Sequence, residues 1–243
     1  MKSIILAGGY GTRLGEMGEQ LPKGLIEFNG TNLISRVVDE LTKIGVSDIA
    51  VVTNSKYFAL FENWVAGQKA KITLLSDNTT SPENRLGALG DLNFAIHKLG
   101  WEKENILVTP SDTYFTFSLS TFMDSIQKNP QQFSTIVRKM DTENIKERLG
   151  CAVLSETGMI TTFVEKPVAP PSPYAAIPFY YYPSEIHTLL HQYAAEGNSM
   201  DAPGNIIPWL LKNNYPVHAH IVTDNTIDVG TLKEVELLKS MNL

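Results

Sequence analysis

Cysteine is almost absent from this chain: one residue in 243, Cys151. No intrachain disulfide can form, so the stapled framework of a small secreted domain is excluded and a reducing compartment is expected. Basic residues are also scarce, with Lys and Arg totalling 20 against 26 Asp and Glu, for a net charge of -6. That balance removes the electrostatic drive for binding nucleic acid or an anionic membrane surface, although a local basic pocket could still hold one phosphate ligand. Long apolar runs are missing too. Ile4-Ile5-Leu6-Ala7 falls far short of the roughly 20 residues a bilayer requires, and it stops at Gly8-Gly9, too soon for a secretory segment. A soluble cytoplasmic protein with no membrane partner is expected. No repeat or low-complexity stretch stands out, and the Pro-rich run 167–173 is too short for an interdomain linker.

What remains is an ordinary globular composition, 43% hydrophobic and 19% charged, which excludes disorder. A chain this long buries roughly 70–75% of its unfolded surface, so the fold needs no metal or disulfide staple. The patterning alternates. Residues 3–7 form a short apolar run broken by glycine, as a buried parallel strand would be. Leu33, Ile34, Val37, Val38, Leu41 and Ile44 repeat with helical period, Asn32 standing where a cap belongs and Gly45 where the helix should end. Strands are expected at 49–52, 72–75 and 106–108, with helices at 58–65 and 86–99 between them. After Asp112 the rhythm changes. A helix at 119–127 is followed by strands at 134–138, 151–154, 160–164 and 176–182 with little helix between them. Helices at 183–193 and 206–211, a strand at 217–222 and a helix at 232–241 complete the chain. The expectation is one α/β domain, a parallel nucleotide-binding sheet elaborated by a mixed second half.

The segment Leu6-Ala7-Gly8-Gly9-Tyr10-Gly11-Thr12-Arg13-Leu14, followed by Leu21-Pro22-Lys23, carries the most chemistry. Glycines directly after a buried strand let backbone N–H groups converge on an anion, and Arg13 and Lys23 suit a polyphosphate. An ordinary turn with solvated cations is the bland alternative. A Walker A loop is excluded, because Gly11 is followed by Thr12-Arg13 rather than Lys-Ser/Thr. A dinucleotide fingerprint is excluded because Leu14 occupies the position of its third glycine. Asp112 follows the strand at 106–108, and Asp228 lies in Ile227-Asp228-Val229-Gly230-Thr231. Each alone could be a capping residue. A carboxylate beside a triphosphate is repelled unless a cation lies between them, and Mg²⁺ characteristically takes one or two carboxylates plus phosphate oxygens.

Leu-Ala-Gly-Gly-x-Gly-Thr-Arg-Leu with the downstream Pro-Lys resembles the signature of the sugar nucleotidylyltransferases. The resemblance implies transfer of a nucleoside monophosphate from a nucleoside triphosphate to a sugar 1-phosphate, with release of pyrophosphate. It implies a Rossmann-like, three-layer αβα, GT-A-like fold with a mostly parallel mixed central sheet. Residues 1–243 would form a single domain, 1–112 its nucleotide half and 113–243 its sugar-phosphate half. Nucleotide contacts fall on Leu6, Ala7, Gly8, Gly9, Gly11, Thr12, Arg13 and Gly87, the last in Asn84-Arg85-Leu86-Gly87-Ala88, which resembles the family's base-contacting segment. Sugar-phosphate contacts fall on Gly150, Glu165, Lys166 and Ala176. Arg13, Lys23 and Lys166 are the catalytic cations, and Asp112 and Asp228 hold Mg²⁺. Family members often assemble as dimers or tetramers, so a homo-oligomer is compatible.

The surroundings depart from the family pattern at Ser111, Thr113, Leu149 and Thr226. Two other readings stay open. Lys23-Gly24-Leu25 resembles the motif of enzymes that act on molybdopterin, and phosphocholine or an inositol phosphate could replace the sugar phosphate. A noncatalytic nucleotide-binding module would need none of the charged residues that are present. Cys151 lacks His and Asp partners and reads as a small buried hydrophobe. His187 and His191 lie one helical turn apart without an acidic third ligand, and His218 and His220 receive no role.

Overall fold

The computed structural model describes residues 1–241. Its strands, in chain order, are β1 (Lys2–Ala7), β2 (Glu27–Phe28), β3 (Thr31–Asn32), β4 (Ile49–Thr53), β5 (Ile72–Ser76), β6 (Ile106–Pro110) and β7 (Thr113–Phe115). They continue with β8 (Phe133–Lys139), β9 (Cys151–Leu154), β10 (Ile160–Val164), β11 (Tyr174–Tyr182), β12 (Val217–Val222) and β13 (Thr226–Asp228). Nine form one sheet in the order β10-β9-β11-β6-β1-β4-β5, with β8 paired to β11 and β12 to β8. Pairing is parallel among β6, β1, β4 and β5 and between β8 and β12, whereas β11 runs antiparallel to β6, β8 and β9. Only β10 and β11 oppose the common direction, so the sheet is mixed and mostly parallel.

The three layers follow from the period-two alternation of strand side chains. Ile4, Val52, Val108, Tyr180 and Tyr182 point to one face, where the helices Ala88–Leu99, Ile186–Ala195 and Ile206–Lys212 pack. Ile5, Val51, Leu107, Phe179 and Tyr181 point to the other, against Leu33–Lys43, Phe58–Ala66 and Leu119–Lys128. Both faces are covered, which is why the central strands read as unbroken apolar runs.

A third, smaller cluster positions the chemistry. Leu14, Ile26, Phe28, Leu33, Tyr114, Val229, Val235 and Leu238 are all buried together. They join the glycine loop, the segment after Lys23, the β7–β13 ribbon and the helix Leu232–Ser240. Phe28 and Tyr114 meet edge to face at 5.2 Å.

Elements lie close to where the pattern expects them, with a few local differences. The helix expected from residue 86 begins at Ala88. Asn32 precedes its helix, but its side chain caps nothing and donates instead to the Leu25 carbonyl at 2.9 Å. No helix among the described residues is long and apolar enough to cross a membrane. The expected second half ends at 243, and its last two positions lie outside the described residues.

Candidate active site

The glycine loop leaves β1 and turns back on itself at Gly11, whose φ of 65° is left-handed. A methyl group on Gly11 would lie 3.3 Å from the Gly18 Cα, and one on Gly18 would sit 2.2 Å from the Gly11 carbonyl oxygen. Only glycine at both positions allows these backbones to touch. The loop is anchored from below. Asn54 Nδ2 donates to the Gly8 carbonyl at 3.0 Å, and the Tyr57 hydroxyl lies 2.7 Å from the Tyr10 carbonyl and close to that of Gly18. The 3-10 turn Thr12–Leu14 then buries Leu14 and leaves Arg13 exposed.

Two aspartates that stand 116 residues apart in the chain (228 less 112) are brought together by the small ribbon. In β7 and β13, Asp228 is paired with Thr113, and the Val229 N–H donates to the Asp112 carbonyl at 3.1 Å. Burial, then the Asp112 carboxylate, push Asp228 up to about 6, while Lys23 and Arg13 pull it down. Lys23 Nζ lies 3.5 Å from Asp112 Oδ2. Gly24 presses against Ser111, with its missing Cβ 3.0 Å from the Ser111 Cβ, and this contact docks the lysine turn beside the acid pair. Gly230 stands against the Arg13 guanidinium, a Cβ there falling 3.5 Å from Nη2. Thr231 and Glu234 form a capping box that starts the next helix. The Asp-x-Gly-Thr segment thus supplies an acid, a surface for Arg13 and a helix start.

Two carboxylates beside two cations are a donor set suited to a hard divalent cation that also meets phosphate oxygens. Among the described residues, no group of three or more His, Cys, Asp and Glu is arranged to hold a metal. Such an ion would therefore need ligand or water oxygens to complete its shell.

Two cavities flank the loop. One, about 390 Å³, is lined by Gly9, Gly11, Thr12, Arg13, Lys23 and Asp112, among others. The second, about 280 Å³, is lined by residues that include Gly8, Gly9, Gly87, Ala88 and Asp91. Leu6, Arg85, Asp112 and Asp201 line both, and Ala7 lines the first. Arg85 Nε lies 2.9 Å from Asp201 Oδ1. Gly87 has a φ of 80° and packs within 2.5–2.8 Å, measured from an added Cβ, of the Met200 and Asp201 backbone. The Asp201 carbonyl accepts from the Ala88 N–H at 2.9 Å, satisfying the free end of that helix. A larger cavity, about 860 Å³, has Thr113, Asp228, Arg138 and Arg148 on its wall.

The remaining expected residues sit apart from these walls. Glu165 and Lys166 line none of the three cavities. Burial raises the Glu165 carboxyl, Lys166 lowers it and Asp201 raises it. Lys166 is exposed with a φ of 47°, and its charge reaches Asp201 on the cavity rim. Gly150 leaves space for the chain's own Phe163 and Glu165, at 2.5 and 3.1 Å from an added Cβ. Ala176 is buried and donates its N–H to the Gly150 carbonyl at 2.8 Å. Cys151 is buried, its thiol 3.3 Å from the Ser172 carbonyl. His187 and His191 meet on an exposed helix face, Nε2 to Nε2 at 3.1 Å.

Sequence reasoning missed Asp77, Asp91 and Asp201. Asp91 did leave a signal, an acidic residue on the apolar stripe formed by Leu89, Leu92, Ala95 and Ile96.

A family model described as nucleotidyl transferase matches residues 2–239. A mannose-1-phosphate guanyltransferase of Yarrowia lipolytica is 30% identical over 170 residues, covering 69% of this chain and 45% of that protein. The chain spans about half the length of the guanylyltransferases it matches. A UTP–glucose-1-phosphate uridylyltransferase of Haloferax volcanii is 22% identical over 230 residues, covering 95% of this chain and 91% of that one. The crystal structure of a Bacillus anthracis protein, named for glucose-1-phosphate thymidylyltransferase activity and crystallised with sucrose, superposes with a TM-score of 0.83 at 20% identity. That match covers 100% of this chain and 97% of the other, and it shows the fold.

Proposed function

The chain belongs to the nucleotidyl transferase family, and on that premise we propose that it transfers a nucleoside monophosphate from a nucleoside triphosphate to a sugar 1-phosphate, releasing pyrophosphate. The observation that carries this reading is the meeting of Asp112 and Asp228 opposite Lys23 and Arg13 at the rim of the glycine-loop cavity. The named activities of the mannose-1-phosphate and glucose-1-phosphate relatives support the acceptor class.

The reaction is a single in-line displacement. An oxygen of the sugar phosphate attacks the α-phosphorus, a P–O bond forms, and the bond to the β-phosphate oxygen breaks. The attacking oxygen is already an anion, so no protein base or nucleophile is needed. Rate then comes from positioning and charge neutralisation. The backbone from Gly8 to Thr12 and the Arg13 guanidinium receive the β- and γ-phosphates. Lys23 offsets charge near the α-phosphorus, and Lys166, which stands outside the cavity walls with its charge felt at Asp201, receives the incoming phosphate. A divalent cation such as Mg²⁺, held by Asp112 and Asp228, would supply charge neutralisation between the two phosphates. Buried, unpaired Cys151 supports a reducing, cytoplasmic setting.

The test is a pyrophosphate-release assay with a panel of nucleoside triphosphates against sugar 1-phosphates, choline phosphate and buffer. Release that depends on a sugar 1-phosphate supports the reading. Release with choline phosphate alone, or triphosphate binding without release, overturns it.

A further inference from the structure

The two site aspartates divide the cavities between them. Asp112 lines both cavities beside the glycine loop, and Asp228 lines the large one of about 860 Å³. Because Asp228 pairs with Thr113, the residue after Asp112, the acid pair is the partition between the two sides. A displacement at this partition joins a triphosphate held on the loop side to an acceptor held on the other. The large cavity has more than twice the volume of the 390 Å³ cavity at the loop, and its lining comes from residues 113–237. None of Gly150, Glu165, Lys166 and Ala176 is on its wall.

Seven charged side chains line that cavity. Arg148 is paired with Glu234, and Asp228 belongs to the acid pair. Arg138, Lys139 and Lys233 remain, with Asp141 the one acid left beside them. Among the described residues, none of these three cations is in an ion pair. Lys139 and Lys233 are exposed. Arg138 is held in place: its strand β8 pairs with both β11 and β12, Nη1 donates to Thr226 Oγ1 at 3.4 Å, and Nη2 donates to Asn225 Oδ1 at 3.2 Å. Both acceptors are neutral, so the guanidinium charge is left uncompensated. Thr226 and Asp228 are two residues apart on β13 and share a face, which puts Arg138 about 7 Å along the strand from the acid. That is a second anion position, separate from the phosphate that reacts at the acid pair.

Resting on the nucleotidyl-transfer reading, we propose that the acceptor is a sugar 1-phosphate carrying a second anionic group, a carboxylate or a further phosphate, seated in the large cavity on Arg138 with Lys139 and Lys233 beside it. A guanidinium fork matches the paired oxygens of either group.

Calorimetric affinities for glucose 1-phosphate, glucose 1,6-bisphosphate and glucuronic acid 1-phosphate, measured in Mg²⁺ buffer without triphosphate, test this with nothing turning over. The bisphosphate, the sugar acid or both should bind at least about tenfold more tightly than glucose 1-phosphate, the scale of one charge-assisted hydrogen bond. Which of the two is preferred identifies the anion. In Arg138→Gln that preference should fall at least about fivefold. In a double variant, Lys139→Gln with Lys233→Gln, both changes are at exposed positions that the fold does not need, and the preference should fall at least about twofold. Equal binding of all three probes, or no binding of the two with a second anion, overturns the assignment, as does a preference unchanged in every variant that folds. Failure of the transfer reading shows separately, as tight binding of a probe with a second anion but no pyrophosphate release once triphosphate is added.

Discussion

The N–H of Val229 is hydrogen-bonded to the carbonyl of Asp112, 3.1 Å away, extending the β7–β13 pairing that brings the two site aspartates together. Because Asp228 precedes Val229 and pairs with Thr113, its carboxyl is held beside that of Asp112. Neither acid could be placed there by its own neighbours in the chain. The pairing of β7 with β13 does it, backed by buried Tyr114 and Val229.

Charge at this junction is expected to govern turnover rather than folding. Arg13→Ala and Asp112→Asn should each reduce kcat by about a hundredfold or more, the scale of removing one group that stabilises transition-state charge. Both residues lie at the cavity rim, so the thermal midpoint should stay near wild type. Pyrophosphate release and a melting curve on the same samples check the pair. Full activity in either variant would remove the site from consideration.

The two glycines of the loop should separate stability from binding. Gly11→Ala places a side chain at a φ of 65° and 3.3 Å from the Gly18 Cα, so it should cost at least about 1–2 kcal/mol. Gly9 has nothing within 4 Å of an added Cβ and lines both cavities. Gly9→Ala should therefore leave stability within about 0.5 kcal/mol while weakening triphosphate binding. Urea unfolding and the KM for triphosphate read the two effects; equal destabilisation by both variants would contradict the geometry.

Asp91 makes stability depend on pH with a definite sign. Its folded value of about 8 lies above the unfolded carboxyl value of about 3.9, so the native state holds one more proton between those limits. Stability from this group is greatest at acid pH and falls as pH rises from about 4 to about 8, by up to about 1.4 kcal/mol per unit. Asp91→Asn, whose amide can donate to Asp77, removes that slope. The expected observation is a difference between wild type and variant that changes steadily across the window in denaturant titrations. Parallel profiles would show that Asp91 carries no proton in the folded protein.

Leu14 links core and chemistry. It is 1% exposed and packs in the cluster that holds Val229. Leu14→Ala should cost about 2–5 kcal/mol and, by loosening Arg13 against Gly230, lower kcat well below the melting temperature. Unchanged kcat at 25 °C alongside a lowered melting point would confine Leu14 to stability.

Much of this was readable in the chain because the physics is local. A strand buried on both faces must be an apolar run, a helix must repeat with its own period, and a phosphate-cradling turn needs glycines just after the strand that leads into it. Leu6 to Leu14 and the position of Asp112 after β6 carry those constraints within a few residues of themselves. Asp228 was readable as a candidate, but its meeting with Asp112 was not, since it depends on a ribbon pairing between distant segments. Gly150, expected beside a sugar, lies against Phe163 and Glu165, a proximity that only the fold creates. Asp91 stood out only as an acid on an apolar helix stripe, and the fold is what brings Gly8 and Asp77 against it. Local patterns reflect the conformation each residue can adopt. Long-range neighbours arise from many weak contacts summed across the whole core, and no short stretch of sequence contains that sum.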